Sequence, residues 1–365
     1  MPVLPTLSIE QCRSRQNRLR TSMQKANASR AIITSRENVH WLTGFWTHPL
    51  MKSAAVIDLE GNCTLFAPNS EPEFHAASQV EVFEASPLCT LRQDQIELIL
   101  GKVESPATLN ATEFSDCPVC FREKMADNIV DIGPEILKLR RTKDSDEVDM
   151  LRHAIACTDA MYRKAREIIE PGITELEVFS KLQRAGVLAA GEPLTACGND
   201  YRSNAPGGPP RDRKVEAGEL MILDLGPAYR GYNADNCRTF SVNPTPNDEQ
   251  MKAWGVIRSV LDMVESEVRP GASCKALYEK AKGMLDEYKK DSFFHHLGHG
   301  IGLFPHEAPH LNPTWDEVFQ VGDVFAAEPG LYTEELKAGI RIEENYLVTE
   351  HGIEKLTSTP IEIQR

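Results

Sequence analysis

Twice along the chain a helix-forming run stops at Pro-Gly and a second helix starts directly after it. The first junction is EPGITELEV at residues 170–178; the second, RPGASCKAL at 269–277, comes about a hundred residues later. Proline cannot extend a helix, and glycine adopts the left-handed backbone that closes one. The helix before the first junction opens at Asp144-Ser145-Asp146-Glu147, with acids in its first turn where the dipole favours them, and reaches about Ile169. The helix after it begins at Thr174, with Glu177 completing a capping box. In the second copy the helices run from about Asn247 to Val268 and from Ser273 to about Tyr288. Each copy leads into a β-rich stretch. This is an internal repeat of helix, break, helix and strands.

The residues before the repeat read differently. Thr6–Lys25 has the spacing of an amphipathic helix, and Ala31–Thr34, Ala54–Leu59, Cys63–Phe66 and Val80–Phe83 are short β-branched or aromatic runs. Glu60-Gly61-Asn62 supplies a hairpin turn between two of them. This small α/β unit ends near Arg140–Lys143, where Leu137–Lys143 (LKLRRTK) reads as a basic linker. A chain of 365 residues suits two domains better than one. The expected division is 1–140 and 141–365, and the fold class is α+β.

The strands after each helix pair carry acids. In MILDLGPAYRGYNADNCRTFSV (221–242), a hairpin centred between Tyr229 and Arg230 sets Asp224 opposite Asp235. Directly opposed residues share a face, with Cβ atoms about 5 Å apart. In VFAAEPGLY and GIRIEENYLV, a turn near Glu335-Leu336 sets Glu328 opposite Glu343 in the same way. Facing carboxylates repel, and divalent cations are the simplest reason to keep them together. Acids on solvated strand faces would need no such reason, but two pairs in matched halves argue for a shared site.

Five of the ten histidines fall in FFHHLGHGIGLFPHEAPHL (293–311). His299 lies between Gly298 and Gly300, which allow close approach of the backbone to a ligand. One imidazole added to four carboxylates makes an N/O donor set for manganese, cobalt, iron or zinc. His295 and His306 are candidates for substrate contact or proton transfer. His296 and His310 read as packing or surface residues.

Composition narrows the partners. The net charge of −14 repels nucleic acid, no apolar run is long enough to cross a bilayer, and the N-terminus MPVLPTLSIEQCRSRQNRLR lacks the apolar core of a signal peptide. The chain therefore reads as cytoplasmic. Its nine cysteines are odd in number and scattered, as reduced thiols are; Cys117 and Cys120, a lone C-P-V-C, read as two ordinary thiols.

The set DLGPAYRGYNAD, GHGIGLFPHE, AAEPGLY and GIRIEE resembles the signature of the pita-bread metallopeptidases. That family holds prolidase, aminopeptidase P, methionine aminopeptidase and the metal-free relative creatinase. The likeness covers roughly 144–365, and the first 140 residues resemble the smaller N-terminal domain of the prolidase, aminopeptidase P and creatinase branch. It implies a pita-bread domain with a pseudo-two-fold repeat and two divalent metal ions, manganese or cobalt first and zinc or iron next. Asp224 would chelate one metal, Asp235 and Glu343 would bridge both, and His299 and Glu328 would complete the second site. A bridging hydroxide would then attack a short peptide, with an Xaa-Pro preference. Glu328 would manage the proton, His295 and His306 would line the substrate pocket, and Arg341 would orient an acid or the substrate's carboxylate. The resemblance also implies a homodimer.

One departure stands out. The family's prolidases and aminopeptidases P carry a Pro-His pair about seventeen residues before the first ligand aspartate, and the matching position here is Gly207 in GNDYRSNAPGGPPRDRKVEAGE. Losing such a donor typically costs about 2.7–4 kcal/mol of transition-state stabilisation. Tyr201 and Arg202 are the nearest candidates to replace it. Two other functions fit the same residues: a non-peptidase C–N hydrolase or lyase on the dinuclear site, and a weakly active or non-catalytic binding relative.

Overall fold

The computed structural model describes residues 4–85, 91–103, 109–124, 129–242 and 245–363. The chain divides into two compact units, one over Thr6–Arg140 and one made of Met1–Pro5 with Arg141–Arg365, so the first five residues fall with the second unit and not, as expected, with the first. Among the described residues no helix is long and apolar enough to cross a membrane.

The first unit is built on a six-stranded mixed sheet. Its strands lie in the order Gln79–Phe83, Cys63–Pro68, Ala54–Asp58, Arg30–Ile33, Asn110–Thr112, Ile129–Asp131. The turn at 60–62 forms because Asp58 Oδ1 accepts from the N–H groups of Gly61 and Asn62 at 3.0 and 2.8 Å. The first helix spans Ile9–Lys25 rather than starting at Thr6, because the Ser8 side chain caps it by accepting from the Gln11 N–H. All eight described cysteines are free thiols, Cys117 and Cys120 included; Cys89 lies outside the described residues.

The basic stretch 137–143 does contain the boundary between the two units, but it is ordered and most of its charges are not left to solvent. It forms the end of a helix over Gly133–Arg141, and its cations have fixed partners. Arg140 donates to Asn38 Oδ1, Arg141 forks onto the Asp323 carboxylate at 2.8 Å, and Lys143 is buried 3.0 Å from Glu307. Charge density alone carries no information about whether the charges are solvated.

In the second unit the repeat is legible element by element. Helices Ser145–Ile168 and Glu175–Ala190 match Asp248–Glu267 and Cys274–Tyr288. Asp144, Thr174 and Asn247 each head a capping box, and Ser273 caps the fourth helix. Both breaks use a left-handed glycine, Gly172 at φ +98° and Gly271 at φ +86°. Each glycine N–H then donates to a backbone carbonyl at 2.8 Å, Val215 in the first half and Phe319 in the second. The helices cover twisted sheets. The first half pairs Asn236–Ser241 with Leu220–Leu225 and that with Asp200–Ser203; the second aligns Gly298–Gly300, Val324–Ala327 and Glu344–Thr349 likewise. Apolar clusters fill the space between helices and strands, around Tyr162, Leu223 and Phe240 in one half and Ile257, Phe325 and Tyr346 in the other. Each such side chain contributes about 1.5–3 kcal/mol by leaving water.

The halves are joined where strand 236–241 of the first meets residues 340–345 of the second. Thr239 Oγ donates to the Arg341 carbonyl and accepts from its N–H, both at 3.0 Å, and the Glu343 N–H donates to the Cys237 carbonyl. Arg238 is the largest cross-link. Fully buried, it donates to the carbonyls of Glu343 and Thr359 at 2.7 Å and to the Glu344 carboxylate at 2.9 Å. Removing one member of a buried pair leaves the other charge uncompensated, at a cost of 3–5 kcal/mol. Lys355 stands 3.2 Å from Glu344 and offsets part of that. Arg238→Met is therefore expected to destabilise the protein by about 3 kcal/mol, read as a lower urea midpoint; an unchanged midpoint would show that the halves hold without it.

Candidate metal centre

The first hairpin places its acids by a different register from the expected one. Cys237, not Asp235, lies opposite Asp224, because the turn is the two-residue Arg230-Gly231 with φ of +46° and +82°. The pairing is shifted by two residues. Because strand side chains alternate with period two, that shift keeps Asp235 on the Asp224 face as its diagonal neighbour. Their carboxyls are within hydrogen-bond reach of each other. The second hairpin has the expected register: Ala327 pairs with Glu344 and Gly330 with Arg341, which sets Glu328 across from Glu343.

His299 comes from the Gly298–Gly300 strand, squeezed between two neighbours. A Cβ at Gly298 would lie 1.9 Å from the Ala326 carbonyl oxygen, and one at Gly300 2.0 Å from that of Ala308. The glycines thus serve the approach of adjacent strands, not of a ligand. His299 Nδ1–H donates to the Gly300 carbonyl at 3.1 Å, which leaves Nε2 3.6 Å from both Asp235 and Glu328. His306 stacks on the His299 ring at 3.8 Å between centroids. His295 Nε2 is 2.9 Å from the Tyr332 hydroxyl, and His295 Nδ1–H donates to the His296 carbonyl.

Three residues join that the sequence reading passed over. His296, expected to be packing or surface, holds Nε2 2.8 Å from Glu328 Oε1; its neighbour His295 was the available signal. Tyr332 lies in the quoted AAEPGLY run, and Arg341 Nη1 donates to its hydroxyl at 3.1 Å. Asp200 has no periodic signal. Arg341 Nη2 donates to Asp224 at 2.7 Å and also to Asp200. Arg341 is thus hydrogen-bonded to two acids. His310 sits apart, beside Glu317 and Trp315.

Asp224, Asp235, His299, Glu328 and Glu343, with His295, His306 and Arg341, line one cavity of about 610 Å³. Its electrostatics are those of crowded, desolvated acids. Burial raises Asp224 to about 6 against the pull of Arg341. Burial, reinforced by Asp224 and Glu328, pushes Asp235 well above the carboxylate range; Glu343 is pushed up by burial and by Asp235 and Asp224. Glu328 goes the other way. Burial would raise it, but the His296 hydrogen bond and the surrounding imidazoles bring it to about 2. Burial lowers His299 to about 4 despite Glu328 beside it. Glu343 Oε2 is buried with no hydrogen-bond partner among the described residues. Asp235, His299 and Glu343 each offer a ligand atom within 4.8 Å of the others. Acids forced together, an orphaned carboxylate oxygen and a neutral imidazole are what an N/O-ligated divalent cation requires.

The position expected to carry a histidine is filled by the chain itself. A Cβ at Gly207 would lie 2.4 Å from Asp200 Oδ2, and Asp200 Oδ1 accepts the Gly208 N–H at 2.6 Å. Neither suggested replacement lines the cavity. The Tyr201 hydroxyl donates to the Cys197 carbonyl, and Arg202 Nε donates to that of Pro209 at 2.8 Å.

This fold and site belong to a known class. Residues 149–350, more than half of the chain, match metallopeptidase family M24, and residues 15–142 match the creatinase/prolidase N-terminal domain. The chain belongs to metallopeptidase family M24, enzymes that hydrolyse peptides with divalent metal ions. It is 29% identical over 356 residues to the Xaa-Pro dipeptidase of Pyrococcus furiosus, covering 96% of this chain and 99% of that one. The prolidase of Pyrococcus horikoshii OT3 superposes with a TM-score of 0.81 at 27% identity, covering 96% and 99% of the two chains. The X-Pro aminopeptidase of Thermotoga maritima MSB8 gives 0.78 at 26%, again covering 96% and 99%.

Because Asp200 occupies the space beside Gly207, restoring a histidine there is not a simple gain. Gly207→His is expected to lower stability by about 1–3 kcal/mol, the usual cost of overpacking, with no rise in turnover. Thermal unfolding and a peptide assay read both.

Proposed function

We propose that the chain is an Xaa-Pro peptidase acting on short peptides with two divalent cations, manganese or cobalt before zinc or iron. Asp224, Asp235, His299, Glu328 and Glu343 would hold them. The observation that carries this reading is that five donors from both halves of the repeat meet in one cavity, three of them carboxyls driven up by burial and mutual repulsion. The Xaa-Pro preference is supported by the relatives, which include Xaa-Pro dipeptidases at 29% and 27% identity.

When bound, divalent cations supply Lewis acidity for the scissile carbonyl and a water acidic enough to react near neutral pH. The chain's own residues do the rest. Glu328, kept anionic by His296, His299 and His295, takes the proton of the attacking water and returns one to the leaving nitrogen. His306 and His296 face the same cavity and take the donor role that Gly207 cannot fill. Arg341 fixes Asp224, and Tyr332 fixes both Arg341 and His295. A homodimer and a cytoplasmic location belong to the same reading, tested by light scattering and fractionation.

The test is hydrolysis of Xaa-Pro peptides with and without manganese or cobalt, together with Asp235→Asn. The variant should lose turnover and bind metal at least about 100-fold more weakly, the upper end of what loss of a mere supporting partner costs. Normal turnover with a full metal complement would refute the ligand set.

A further inference from the structure

We infer that Asp200 makes this site select peptides without a free carboxylate beside the scissile bond, that is, longer or C-terminally blocked peptides over dipeptides. The inference rests on the peptidase reading and goes on to name its substrate class. The cavity is lined by five carboxylates, Asp200, Asp224, Asp235, Glu328 and Glu343, and among the described residues Arg341 is its one guanidinium or ammonium. Without Asp200, two divalent cations and Arg341 would leave the wall with one positive charge in excess of four acids. A dipeptide's carboxylate would be drawn to that excess, and a guanidinium is the side chain best shaped to fork onto it.

Asp200 removes the excess. Its Oδ2 takes Arg341 Nη2, the nitrogen that also binds Asp224, while Nη1 goes to Tyr332. The carboxylate is fixed in that pose by the Gly208 N–H at 2.6 Å, and the pose exists because residue 207 has no side chain: a Cβ there would meet Oδ2 at 2.4 Å. Gly207 and Asp200 form one device that quenches the one guanidinium lining the cavity among the described residues. A negative charge brought to that wall, as a dipeptide's terminus would be, meets no excess positive charge to offset its desolvation and finds no donor fork. An amide or a continuing peptide bond meets neither penalty.

The experiment uses the metal-loaded, full-length protein at pH 8, so that imidazole protonation does not enter. Ala-Pro is compared with its C-terminal amide and with Ala-Pro-Gly. The expected result is a kcat/KM at least tenfold higher for the amide and the tripeptide, with the difference in KM. Asp200→Asn, which keeps the shape and removes one of the two carboxylates on Arg341 Nη2, should narrow the gap by lowering KM for Ala-Pro, and Asp200→Glu should restore it. A purely structural role would lower kcat on all three substrates alike and leave their ratio untouched, which overturns the inference. Equal or better use of Ala-Pro by the wild type overturns it too, whether or not the variants fold, and leaves the Xaa-Pro reading standing. If none is cleaved, the Xaa-Pro reading falls. Calorimetric binding then decides: prolinamide at least tenfold tighter than proline supports the charge device, and equal binding overturns it.

Discussion

The architecture turns on mutual repulsion between carboxylates that the fold will not let apart. Asp224, Asp235, Glu328 and Glu343 are brought to one cavity by backbone pairing, not by attraction, and removing water from them makes each charge harder to keep. Nothing in a hairpin rewards that arrangement. It persists because the hairpins are fixed from behind: each lies under its own helix pair, and each pair is packed by a separate apolar cluster. The scaffold holds like charges together, and the acids gain by releasing the strain to a cation. Metal affinity here is thus a property of the packing as much as of the ligands.

The two hairpins also have to stay in register with each other. That task falls to strand 236–241 and residues 340–345, whose contacts alternate between backbone and side chain. The Glu343 N–H reaches across to Cys237, and Arg238 returns to the Glu343 carbonyl and the Glu344 carboxylate. Residues close in sequence therefore divide the work. Asp235 and Glu343 face the cavity, and Arg238 and Glu344 close the seam beneath them. A charge buried in the seam is costly unless paired, which makes the pair sensitive to any slip between the halves.

Much of this was legible in the sequence, and the misses have physical causes. The repeat showed because Pro-Gly breaks and capping boxes act over a few residues, and those signals are local. The second hairpin's register followed from setting Glu328 opposite Glu343 about a turn near Glu335-Leu336. The first was misplaced by two residues because Arg230 in the left-handed region is rare for a side chain of its kind, so the turn was centred one residue early. The error did not move the acids off their face, because the strand period is also two. Asp200, His296 and the partners of Arg140, Arg141 and Lys143 were missed for another reason. Their roles depend on residues distant in sequence, such as Arg341 for Asp200 and Glu307 for Lys143, and no window of local pattern contains both members of such a pair.

Gly207 illustrates how a departure in sequence should be weighed. On the sequence alone a glycine at that position is a loss, one donor fewer at the reacting carbonyl. In the folded chain the glycine is one half of an arrangement whose other half lies seven residues earlier. The space an imidazole would need belongs to Asp200, whose carboxylate is anchored at both oxygens, one by the Gly208 N–H and one by Arg341. Where a histidine was expected the loop presents a fixed anion, and the proposed metal ligands are untouched, since Asp200 is not among them. Chemistry at the metals and recognition at the wall are in this way separable. On the proposed reading, strand pairing fixes the first, and the loop holding Asp200 adjusts the second through the sign of one charge.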